Sequence, residues 1–60
     1  MIVDGYMHFR FTYRFVGQEE YVHEVSIYAK DAEKARNQFS VYMINAPKYE
    51  LVRIEVVENM

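Results

Sequence analysis

Residues 7–15 read MHFRFTYRF, and the alternation within them decides the fold. The odd positions are Met7, Phe9, Phe11, Tyr13 and Phe15, and the even positions between them are His8, Arg10, Thr12 and Arg14. A period of two, with aromatic and polar residues taking turns, marks a strand that has one face in a core and the other turned away from it. The odd series is therefore expected inside.

Working outward, VGQEE at 16–20 supplies a turn, with Gly17 free to take a positive φ. YVHEVSIYA at 21–29 then reads as a second strand, with Val25, Ile27 and Ala29 on one side and Glu24, Ser26 and Tyr28 on the other. So short a connection makes the pair a hairpin. From Lys30 to Pro47 the period changes. Asp31 suits an N-cap, Glu33 suits the positive end of a helix dipole, and Ala32, Ala35, Phe39, Met43 and Ala46 recur at helical spacing. Pro47 is expected to stop the helix near Ala46. YELVRIEVV at 49–57 completes the chain as a third strand, with Val52, Ile54 and Val56 inward and Leu51, Arg53, Glu55 and Val57 outward.

The order β-β-α-β, with a right-handed crossover through the helix, places the third strand beside the first. The expectation is an α+β fold, a two-layer split β-α-β unit. Its three-stranded antiparallel sheet has the order 3-1-2, and one helix lies on one face. A chain of 60 residues holds one such domain, residues 1–60.

Composition narrows the function classes. Cysteine is absent, which removes disulfides and thiol chemistry and favours a cytoplasmic setting. The opening MIVDGYMHF has neither the basic start nor the apolar run of a signal peptide, and no stretch approaches the roughly 18 apolar residues of a membrane span. Hydrophobic residues make up 52% of the chain, too many for a disordered tail. Small apolar chains without staples gain stability from a partner or a second copy. Nine acids against seven bases give a net charge of −2, so phosphate would be attracted only by a local basic patch.

Catalytic constellations are missing from the pattern. His8 and His23 fall on opposite faces of the hairpin by parity, so they cannot share a metal ion. Ser26 and Ser40 stand in no Gly-rich elbow, and two glycines twelve residues apart form no phosphate-cradling loop. Tautomerases of the 4-oxalocrotonate type are chains of similar length that use an N-terminal proline as base. Here Met1 precedes Ile2, and the lone proline is Pro47. No catalytic residue, metal or cofactor is assigned.

What remains is unfinished surface. Tyr6, His8, Arg10, Arg14, Tyr28 and Arg53 share the outer sheet face and are the candidate partner-binding residues. Tyr and Arg are the types enriched at binding hot spots, although cross-strand pairs such as Arg14 with Glu24 would account for the charges equally well. Val41 and Ile44 point away from the helix's buried stripe. With Leu51 and Val57 of an exposed third strand, they are the candidate oligomer contacts.

In size, lack of cysteine and lack of catalytic signature, the chain is similar to the many small proteins of phages and mobile elements that occupy a host protein's surface and so inhibit or modulate it. The expected function is a non-enzymatic protein-binding module, homodimeric, with a host or cellular protein as partner. The alternative is single-stranded nucleic-acid binding through the arginine and tyrosine face.

Overall fold

The computed structural model describes residues 5–57. Its elements are β1 (Met7–Phe15), β2 (His23–Ala29), α1 (Ala32–Tyr42) and β3 (Tyr49–Val57). The sheet order is β2-β1-β3, and both pairings are antiparallel. The expected α+β topology, with the most aromatic strand in the middle, is the topology of the molecule.

The hairpin turns where expected but takes more chain to do so. Gln18 N–H donates to the Phe15 carbonyl at 3.0 Å, closing a β-turn whose third residue is Gly17 at φ 92°. A positive φ at that position is strained for any residue with a Cβ. A second turn follows, with Tyr21 N–H donating to Gln18 O at 3.0 Å. Tyr21 and Val22 thus belong to the connection, and β2 begins at His23, opposite Tyr13.

Asp31 caps α1 as its composition requires, with Oδ1 accepting from Lys34 N–H at 2.8 Å. The helix ends at Tyr42, a turn earlier than Pro47 suggests. Beyond it the backbone tightens into short turns, Ile44 N–H donating to Val41 O and Ala46 N–H to Met43 O. The residue before a proline is disfavoured in the α region, so the chain leaves the helix ahead of the block.

The core is an aromatic wedge. Phe9, Phe11 and Tyr13 of β1, Ile27 and Ala29 of β2, and Ala35, Phe39 and Met43 of the helical segment are buried together. Phe39 sits at its centre, stacked on Phe11 at 4.6 Å between ring centroids and edge-on to Tyr49 at 5.7 Å. Phe15 is only half-buried, and Met7 is exposed, against the expectation that the whole odd series is core. Eleven residues of helix reach about 16 Å, too short to cover both ends of a nine-residue strand.

β3 departs further from simple parity. Thr12 lies opposite Arg53 and Tyr13 opposite Leu51, so Val52 is an extra residue in a bulge. A one-residue insertion exchanges faces for everything beyond it. Leu51 therefore stands on the helix side with Tyr13, and Tyr49 joins the core beside Phe15. The expectation that Leu51 faces outward beside Val57 is thereby corrected. Val57 lies opposite His8 on the outer face.

Two outcomes follow. Phe39→Ala should cost about 3–5 kcal/mol, enough to unfold much of a domain this small, read as lost secondary structure by circular dichroism. Asp31→Ala should cost about 1 kcal/mol by denaturant titration, with the fold retained.

Candidate interaction surfaces

One sheet face is covered in part and the other is open. α1 lies over β2 and β1 and makes no close backbone approach to β3. The helix side of β3 is therefore covered only where Tyr49 and Ile54 pack against the core. Val52 and Val56, expected inward, are 48% and 56% exposed, and Leu51 is 43% exposed. Val56 is opposite the buried Phe9, so it has the right parity for burial but no helix above it.

On the opposite side of the domain, α1 and the free edge of β2 bound an open groove of about 530 Å³. Val25, Ile27, Val41 and Tyr42 give it an apolar lining, with Asn37 and Gln38 as its polar groups on the helix. Val41 is 68% exposed there. Ile44, expected on the far side of the helix, lies instead in the turn beyond it and is also exposed. The four candidate oligomer residues therefore do not form one patch. Val41 belongs to the β2 side, whereas Leu51 and Val57 lie on opposite faces of β3.

The candidate partner-binding residues do share one face. The register sets His8 opposite Tyr28, Arg10 between Ser26 and Glu55, Thr12 between Glu24 and Arg53, and Arg14 opposite Glu50. His8 and Tyr28 stack at 4.5 Å with their planes 13° apart. At the corner of the face, Lys30 Nζ stands 5.7 Å from the Tyr6 ring centroid, a cation–π contact.

The arginines are neutralised within the sheet. Arg14 Nε donates to Glu50 Oε1 at 3.0 Å, and Arg10 and Arg53 both approach Glu55 Oε1 at 3.7 Å. Arg14 thus pairs with β3 and not with Glu24 of β2, because the bulge sets Glu50 directly opposite it. These pairs are well exposed and contribute at most about 1 kcal/mol each. Their larger effect is on the surface potential, since a phosphate would have to compete with carboxylates already in place.

Thr12 was missed as a distinctive residue by parity alone. It occupies an outer-face position yet is buried, flanked along β1 by Arg10 and Arg14, and its Oγ1 has no hydrogen-bond partner. His8 Nε2 is a second unpartnered polar atom on this face.

On the inner side His23 is half-buried against Tyr13 and Phe15, at 5.4 and 5.1 Å between ring centroids. The two histidines therefore do lie on opposite faces. Burial, followed by the charge of Tyr42 and a hydrogen bond with it, pushes the Tyr13 phenol above its ordinary range. At the turn, Glu19 is held below the usual carboxylate range, chiefly by the 2.8 Å hydrogen bond that its carboxylate accepts from Gly17 N–H.

Among the described residues no helix is long and apolar enough to cross a membrane. Compared with known proteins, the chain matches no family model, no curated protein and no solved structure.

The Tyr13 shift sets the direction of an alkaline transition. A phenol harder to ionise folded than unfolded contributes stability in full below the unfolded pKa and loses it as pH rises through the folded one. Thermal melts above about pH 10 should fall steeply in the native chain and less so in Tyr13→Phe.

Proposed function

We propose that this chain is a non-enzymatic protein-interaction module that self-associates and binds another protein, modulating it by occupying its surface. The observation carrying the reading is the distribution of exposed apolar side chains. Two groups of them stand beside the edges of the sheet, Val41 and Tyr42 with the partly buried Val25 at β2, and Leu51, Val52 and Val56 at β3, while Val16, Tyr21 and Val22 lie in the hairpin connection. Scattered surface apolar residues are ordinary, but contiguous ones beside unpaired backbone are sites where a strand or helix can be added.

The outer face supplies a second kind of contact. Tyr6, His8, Tyr28, Arg10, Arg14 and Arg53 form an aromatic and polar surface over an unsatisfied Thr12 hydroxyl. Leaving a buried hydroxyl unbonded costs about 1–3 kcal/mol, which makes Thr12 a polar defect beneath this face.

Nucleic-acid binding draws support from the stacked His8 and Tyr28 pair, which offers an aromatic ring to an unstacked base. The paired arginines weaken that support, since little uncompensated positive charge is left to follow a phosphate backbone. A single-stranded oligonucleotide should show no binding that rises steeply as salt is lowered.

The test is affinity capture from cell lysate with and without nuclease, comparing the native chain with Val41→Asp and Tyr28→Ala. One protein retained at stoichiometric level after nuclease, and lost with either variant, is the expected result. Retention that vanishes with nuclease would overturn it in favour of nucleic acid.

A further inference from the structure

Among the described residues no strand pairs with the outer edge of β3, and that edge is complementary to itself in one register. We infer that two copies of the chain join through this edge, antiparallel, with Ile54 on the twofold axis, into a continuous six-stranded sheet. The inference rests on the self-association proposed above and names its surface. The segment 52–56 reads Val-Arg-Ile-Glu-Val, with opposite charges placed symmetrically about Ile54. Antiparallel pairing about that residue sets Arg53 opposite the second copy's Glu55 and Glu55 opposite the second copy's Arg53. Val52 meets the second copy's Val56, and Ile54 meets Ile54.

The neighbouring registers are each worse. With the twofold on Arg53 or on Glu55, like charges face each other directly, which destabilises a cross-strand pair. With it on Val52, Arg53 faces Leu51; with it on Val56, Glu55 faces Val57, so charges meet apolar side chains. Only the axis at Ile54 matches charge with charge and apolar with apolar.

The structure leaves room for this joint. Because α1 lies over β2 and β1, it does not overhang the β3 edge. At about 4.8 Å per strand, the two helices would stand roughly 19 Å apart on the shared sheet, well beyond their diameter of about 10 Å. Val56, bare on the helix side in one copy, and Val52, exposed at the bulge, would each gain an apolar neighbour across the joint. Arg53 has its side chain 59% exposed, so it can exchange its contact with Glu55 of the same chain for one with Glu55 of the second copy. The bulge at Val52 turns the strand and ends the regular ladder there, so the joint is five residues long with Val52 at its limit. Such a contact is small, and the association should be concentration-dependent.

Charge reversal reads the register directly. Sedimentation equilibrium should show a dimer for the native chain and an about tenfold or greater loss of affinity for Arg53→Glu alone and for Glu55→Arg alone. An equimolar mixture of the two variants restores opposite charges at every pair and should recover a heterodimer. Circular dichroism checks that each variant is folded. Should Glu55→Arg unfold through its proximity to Arg10, single cysteines decide instead, in a chain that has none of its own. Residues facing each other across a twofold lie about 4.5–5.5 Å apart at Cα, within disulfide range. Ile54→Cys should therefore crosslink to itself, and Val52→Cys should crosslink to Val56→Cys but neither to itself.

A native chain that stays monomeric to millimolar concentration would overturn both the joint and self-association. A native dimer indifferent to charge reversal, or crosslinked through Val41→Cys and not Ile54→Cys, would overturn this joint while leaving self-association in place.

Discussion

Phe11 stacked on Phe39 is the contact that joins the two layers, and the rest of the structure is arranged around its position. Both rings are buried, and their centroids lie 4.6 Å apart. The pair fixes where a short helix crosses the sheet. Tyr13 and Tyr49 close around Phe39 at one end, while the small Ala35, fully buried, lets the helix approach the sheet closely. An eleven-residue helix so anchored can cover two strands and no more. The same contact that builds the core thus decides which apolar side chains are left out of it.

Much of this was legible from residue order. The alternation of β1, the capping role of Asp31, the change of period after Lys30 and the placement of β3 beside β1 all follow from local chemistry and the handedness of the crossover. What parity could not give was the bulge at Val52. Nothing in LVRIE marks an inserted residue, because Leu51, Val52 and Ile54 suit either face of a strand equally. The insertion moved Leu51 to the helix side, brought Tyr49 into the core and turned Arg14 toward Glu50. Burial along the strands was the second hidden quantity. Periodicity assigns Met7 and Val56 to a face, but only the length and placement of α1 decide whether that face is covered there.

The outer surface shows why residue type alone overstates a site. Read in sequence, Arg10, Arg14 and Arg53 form a basic cluster interleaved with tyrosines. In the fold β3 brings Glu50 and Glu55 alongside them, and the cluster becomes a lattice of paired charges. Such a lattice contributes little stability. A partner of the kind proposed for this face would have to offer shape and hydrogen bonds, since net charge there is nearly cancelled. The aromatic corner of Tyr6, Lys30, His8 and Tyr28 keeps its character because the β3 residue opposite His8 is Val57 and not a carboxylate.

The arrangement of charge on β3 also answers the hazard of a free edge. A β-branched strand with open hydrogen bonds invites stacking, and the most damaging form is the parallel, in-register stack of many copies. In that geometry Arg53 would lie on Arg53 and Glu55 on Glu55 at every layer, an unfavourable ladder of like charges. Antiparallel pairing about Ile54 reverses every one of those contacts. The closed pair proposed above would leave no β3 edge to extend. Two residues of opposite sign, placed symmetrically about one isoleucine, thus discourage the open assembly and favour the closed one, and they do so without covering the edge with additional chain.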